Sequence, residues 1–186
     1  ACQQGHSGFA NTYAIDMESL DVLDLNSGPF NILHWLTLLL QNRTIRLASP
    51  VMVQGDAWLK KHFSIDVSSA DVIKGYRADD SYFGFARAFL RNEITLEQLS
   101  RAMRLGELGE QYMVKSPRAF DALDFVSCEP AQSAVYWAKR TARDDKARRD
   151  FRELASVQEH GELAKPALYI STLMTLEEDD LHACLR

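Results

Sequence analysis

Two adjacent polar residues, Glu110 and Gln111, open the run EQYMVKS after a corner marked by Gly106 and Gly109. The run reads as a strand, so the two side chains project to opposite faces and one of them can face a cleft. The chemistry open to each differs. A carboxylate can stabilise a cationic transition state. An amide is no general base at neutral pH, but it can orient a hydroxyl or another amide through hydrogen bonds. A second polar group, Arg77, Asp79 and Asp80, follows the run DVIKGY. Strand ends of this kind are where α/β folds tend to bind ligands. Both groups also have a bland reading: a strand-edge Glu-Gln pair without function, and an aspartate helix cap with a neighbouring ion pair.

These residues belong to one stretch, 71–116, which reads as strand, turn, two amphipathic helices, glycine corner and second strand. Asp79 or Asp80 is expected to cap a helix beginning near Ser81, whose apolar stripe is Tyr82, Phe85, Ala86 and Phe89, with Phe83 and Leu90. Thr95 and Gln98 have capping-box spacing and open a helix striped by Leu96, Leu99 and Met103. Upstream, 10–15 and 20–25 read as short strands, and the turn at 26–29 leads into a helix over 30–41 with apolar residues on nearly every face. Pro29 is expected in its first turn. His34 within it is expected to be a hydrogen-bonded core or boundary residue rather than a catalytic one. Residues 44–47 read as a brief strand or a loop, and Ser49-Pro50 as the capped start of a surface helix. Downstream, Ser116-Pro117 starts a short helix and 123–128 is the next strand. Thr175 to Glu178 has the form of another capping box.

The chain has 186 residues, 46% hydrophobic and 25% charged, with a net charge of −5. That fits one domain over 1–186, with 153–186 as its tail. It leaves no global electrostatic footprint for nucleic acid. The exception is local: residues 139–152 carry seven basic and three acidic side chains. This segment reads as a solvated helix face, or else as a docking surface for an acidic partner or nucleic acid. Cys2, Cys128 and Cys184 are widely spaced and odd in number, and no His pair has ligand spacing, so neither a disulfide framework nor a metal site is expected. Free thiols point to a cytoplasmic location. The most apolar run, 30–40, is about half the length of a membrane span.

The order of several pieces is similar to a bacterial family of uncharacterised proteins related to ADP-ribosyltransferases. The pieces are Gly75, Ala78, Asp79 and Asp80; Ile94, Thr95, Glu97 and Leu99; and Gln111 with Lys115 and Ser116. The resemblance runs from about Gly8 to Arg152. It implies an α+β fold of small packed β-sheets with helices around them and a cleft for nicotinamide adenine dinucleotide (NAD). It gives Gln111, with Glu110 as the competing choice, a place beside the nicotinamide ribose, and Arg77, Asp79 and Asp80 a place by the cofactor. The family's opening strand, with L-Y-H-G and a G-F-Y turn, has no counterpart here, so the first strand segment is expected to be missing. The chain would then be a fragment of a longer enzyme or a degenerate member.

Three functions follow as expectations. The first is transfer of ADP-ribose from NAD to a macromolecular acceptor, in a toxin-like setting that includes a possible antitoxin partner. The second is an interaction protein that keeps the fold without the chemistry. The third is a nucleic-acid-binding module using the 139–152 helix. The short, irregularly spaced strands, none followed by G-x-G-x-x-G, argue against a doubly wound parallel sheet.

Overall fold

The computed structural model describes residues 8–42, 44–76, 80–104, 110–131, 134–135, 137–139, 141–142, 145–146, 149 and 167–185. Five strands are present among them: β1 (Gly8–Ile15), β2 (Val22–Asp24), β3 (Val72–Tyr76), β4 (Glu110–Val114) and β5 (Leu123–Ala131). They form two small sheets, an antiparallel β1-β5 ribbon and a three-stranded sheet in the order β2-β3-β4. β2 runs parallel to β3, and β4 runs antiparallel to it. The helices are α1 (Ile32–Asn42), α2 (Pro50–Phe63), α3 (Asp80–Leu90), α4 (Leu96–Arg104), α5 (Pro117–Asp121), α6 (Ile170–Leu173) and α7 (Glu178–Leu185). The fold is therefore mixed α+β, with small sheets and surrounding helices. The described positions between 134 and 149 are helical, and all but the half-buried Trp137 are exposed.

One face of the three-stranded sheet, through Leu23 and Ile73, joins the main core. There it meets Leu33, Trp35, Leu36 and Leu40 of α1, Met52, Leu59 and Phe63 of α2, and Phe85, Phe89 and Leu90 of α3. The expected apolar stripe of α3 is thus inside the protein from Phe85 onward. A second, smaller cluster of Leu20, Val72 and Ala119 lies on the other side, with Ile15, Met17, Val114 and Ala122 against it. Most of the ribbon is exposed along both strands, including Phe9, Tyr13, Phe125 and Val126. Its register shifts at Thr12/Tyr13, and Tyr13 then meets Phe125 edge-on at 5.7 Å.

Residues 167–185, which the sequence groups with the tail, contribute Ile170, Leu173 and Leu181 to the main core. Two devices attach this segment. Leu96 N–H donates to the Leu168 carbonyl at 2.8 Å. Asn92, in the left-handed region at φ 66°, aims its side-chain oxygen at the Ser171 N–H and hydroxyl, at 3.0 and 2.7 Å. Asparagine tolerates that backbone conformation better than most residues.

Several local expectations change. Strand 20–25 contracts to Val22–Asp24, because the chain turns at Leu25. Residues 44–47 form no strand. The helix expected from Phe30 begins at Ile32, and Pro29 stays in the preceding turn. Ser49 sits at the N-cap position of α2 but makes no side-chain cap bond, so Pro50 alone marks that start. Thr175 does not build a capping box: its hydroxyl donates to the Thr172 carbonyl at 2.8 Å, and α7 begins later, at Glu178.

The box at Thr95 does form. Thr95 N–H donates to Gln98 Oε1 at 2.8 Å, and Gln98 N–H donates to Thr95 Oγ1 at 3.2 Å. Both residues are buried, so each group would lose its partner without solvent replacing it. Thr95→Ala is expected to cost about 1 kcal/mol in urea unfolding. Gln98→Ala should cost a similar amount, and the double variant should cost clearly less than both together, because the two bonds are reciprocal. Additive losses would show that the two residues act separately.

Candidate functional site

The β3-β4 register sets the geometry around Gln111. Tyr76 pairs with Glu110, Gly75 with Gln111, Lys74 with Tyr112 and Ile73 with Met113. Directly opposed residues share a face, so Gln111 lies with Gly75 and Met113, while Glu110 lies with Lys74 and Tyr112. The two candidates therefore project to opposite sides of the sheet. Tyr76 ends β3 where Glu110 begins β4, so the chain leaves β3 towards residue 80 at the same sheet end. Helix α3 starts with Asp80, one residue before the expected position. Arg77 and Asp79, the Asp80 side chain and the corner at Gly106 and Gly109 lie outside the described residues.

Glu110 is committed to neighbours. Its Oε1 accepts from Asn26 Nδ2 and pairs with Lys74 Nζ, both at 3.1 Å, and Tyr112 O–H reaches Oε2 at 3.4 Å. The Asn26 bond and then Lys74 lower its pKa. Lys74 also meets Asp24 Oδ2 at 3.2 Å. Its own pKa is raised by the bond to Glu110 and then by the bond to Asp24. One ammonium thus holds two carboxylates from neighbouring strands. Beside them Asn26 Oδ1 is buried with no hydrogen-bond partner.

Gln111 is exposed, and its amide has no hydrogen-bond partner among the described residues. Beneath its neighbour Gly75 runs the Trp35 indole: a Cβ built on Gly75 would stand 3.3 Å from Trp35 Cδ1. Glycine is what lets α1 approach the sheet this closely. Trp35 itself is buried in the main core below the Gly75–Gln111 pair.

The other end of the sheet is held by a residue that the sequence marks only as the start of the central stretch. Asp71 is buried, and its carboxylate accepts from Asp21 N–H at 2.9 Å, from the Ser116 hydroxyl, and from Arg118 through Nε at 3.0 Å and Nη2. Arg118 Nη2 also reaches Asp21 Oδ2 at 3.2 Å. The Asp71 carbonyl accepts from Lys115 N–H at 2.9 Å and Ser116 N–H at 3.4 Å. Ser116 in turn caps α5 by accepting from Ala119 N–H at 3.1 Å. Sequence spacing gives no sign of this group, since Asp71 lies 50 residues from Asp21 and 47 from Arg118.

Among the described residues no group of three or more His, Cys, Asp or Glu could hold a metal ion, and no helix is long and apolar enough to cross a membrane. A family model described as "Protein of unknown function (DUF3990)" matches residues 1–125. The chain belongs to that family. The match includes Gln111, Asp71 and Arg118 and reaches into β5. No curated protein and no solved structure matches the chain.

The Asp71 carboxyl is held well below the usual range, at about 2, first by the Ser116 hydroxyl and then by Asp21 N–H and Arg118. Its ordinary value is 3.8. Because the folded value is the lower one, the stabilisation is complete above about 3.8 and is lost as the pH falls towards 2. Asp71→Asn should lower the melting temperature at neutral pH. The gap between variant and parent should narrow across that acid window, as followed by circular dichroism. A gap that persists unchanged at the acid end would mean the charge is not what matters there.

Proposed function

We propose that this member of the family presents Gln111 to the nicotinamide ribose of NAD in an ADP-ribosyltransferase-type site, and that the protein transfers ADP-ribose to a macromolecular acceptor. The observation that carries this reading is the contrast between the two candidates. Glu110 is already engaged by Lys74 and Asn26, whereas the Gln111 amide is exposed, with no hydrogen-bond partner among the described residues. The mixed fold with two small sheets is compatible with the resemblance in the sequence, and β3 ends at Tyr76, opposite Glu110.

NAD supplies an activated glycosidic bond whose cleavage releases neutral nicotinamide, so the chain need not protonate the leaving group. What the chain must do is orient. The Gln111 amide can accept from one ribose hydroxyl and donate to another oxygen, which fixes the sugar relative to the incoming acceptor. Being uncharged, it offers no full negative charge to the cationic sugar. Arg77, Asp79 and Asp80 are the candidates for holding the rest of the dinucleotide. Glu110, in its ion pair, helps hold the strand end from which Gln111 projects.

A second reading, an interaction protein without chemistry, draws on the β1-β5 ribbon, whose Phe9, Tyr13, Phe125 and Val126 are exposed. Nicotinamide release separates the two. The protein is assayed both as the 186-residue chain and joined to the H-G and G-F-Y segment that the resemblance calls for. The joined protein should release nicotinamide from NAD. Gln111→Ala should slow release about 100-fold with an unchanged melting curve, in the range for removing one positioned hydrogen-bonding group. Glu110→Ala should have the smaller effect. The reverse order would move the role one residue back, and no release from the joined protein would favour the interaction reading.

A further inference from the structure

The first turn of α1 contains an unusual capping pair. Asn31, just before the helix, accepts Leu33 N–H on its side-chain oxygen at 2.9 Å and His34 N–H on its carbonyl at 3.1 Å. His34, at the third helical position, returns the interaction: its Nδ1 accepts Asn31 N–H at 3.2 Å. This is the reciprocal arrangement of a capping box, with an imidazole where Glu or Gln usually stands. We infer that His34 makes this cap a pH-sensitive clasp, so that acidification loosens the 25–31 turn that straps β2 to the β4 end carrying Glu110 and Gln111.

The clasp needs a neutral ring with its proton on Nε2, because only then can Nδ1 accept. The surroundings favour the neutral ring. The half-buried ring lies edge-on between Phe30 and Phe63, with centroids 5.4 and 5.1 Å away. No carboxylate of the described residues is within ion-pair distance, and the first turn of α1 has no acidic residue. On α2, which supplies Phe63, the ionisable groups at that end are Lys60, Lys61 and His62. Lys60 is paired with Asp56 at 2.8 Å. Arg46 is the ionisable residue among the described residues of the loop before α2, and Asp66, after it, accepts from Ser68 N–H. A helix N-terminus also repels an added cation. In keeping with this, burial lowers the His34 pKa from its ordinary 6.5.

Protonation puts a hydrogen on Nδ1. The nitrogen can then donate to Asn31 Oδ1, also 3.2 Å away, but Asn31 N–H loses its acceptor and a charge enters an apolar slot. The start of the turn stays anchored, since Leu25 is buried and its N–H binds the Lys74 carbonyl at 2.9 Å. Beyond it, Asn26 N–H binds Asp24 Oδ1 at 2.9 Å, Ser27 N–H binds the Asp24 carbonyl at 3.4 Å, Asn26 Nδ2 binds Glu110, and Phe30 N–H binds the Ser27 carbonyl at 3.4 Å. The folded value lies below the unfolded one, so the clasp is at full strength above about 6.5 and weakens as the pH falls below it.

His34→Gln tests this, because a glutamine oxygen can keep the capping acceptor without titrating. The His34 ring and the Asn31 amide are followed by NMR from about pH 8 to about pH 5. Both should move with one midpoint below 6.5, and the parent's melting temperature should fall across that range relative to the variant's. An Asn31 amide that ignores the ring, or equal acid sensitivity of parent and variant, overturns the clasp. If the variant does not fold, the NMR titration of the parent decides alone. Only the effect on activity rests on the function proposed above. A confirmed titration that leaves nicotinamide release unchanged would show that the clasp is not coupled to the Gln111 end of β4, and no release at any pH would count against that function and not against the clasp.

Discussion

The Asp71 carboxylate is the interaction on which the arrangement of the sheet depends. It sits where β2 begins, where β3 begins and where β4 hands over to α5, and it binds all three places at once. The apolar cluster of Leu20, Val72 and Ala119 lies alongside, so water is a poor substitute for any donor that is lost. A buried carboxylate with one donor removed costs more than the hydrogen bond itself, because the charge remains. That asymmetry makes Asp71 a register lock. β2 cannot slide against β3 without leaving Asp21 N–H behind, and β4 cannot slide without losing Lys115 and Ser116.

The lock matters because side chains alternate. A slip of one residue in β4 would exchange its two faces and carry Glu110 to the side of Gly75 and Trp35. Five residues of β4 pair with β3, and most of them are exposed, so burial along the strand does little to fix the register. Two polar contacts fix it instead, the Asp71 group at one end and the Lys74 pairs with Asp24 and Glu110 at the other. The disposition of Gln111 is therefore set by charges on the opposite face and at the far end, not by anything that touches Gln111.

What the sequence made legible was local. The Thr95–Gln98 box, the Ser116-Pro117 start of α5 and the buried stripe of α3 all follow from spacings of three and four residues. The same kind of reasoning failed at Ser49 and Thr175, where the right residue type is present but its hydroxyl does not cap. A cap pattern shows that a bond is sterically possible, and the surrounding backbone decides whether it forms. The partners of Asp71 and of Lys74, by contrast, lie tens of residues away in either direction, and no period or propensity encodes them. The core role of 167–185 was hidden for a related reason: its anchors are single residues, Asn92 and Leu96, belonging to a different part of the chain.

The amide at position 111 also makes electrostatic sense within this frame. Asp24, Lys74 and Glu110 together carry one net negative charge, with the ammonium already shared between the two carboxylates. A carboxylate at position 111 would add a like charge one residue from Glu110, with no cation of that group left to receive it. Such a repulsion would raise the carboxylate's pKa. An amide avoids that penalty and keeps both a donor and an acceptor. The same choice limits the chemistry: a residue that cannot take a proton and carries no charge can only orient.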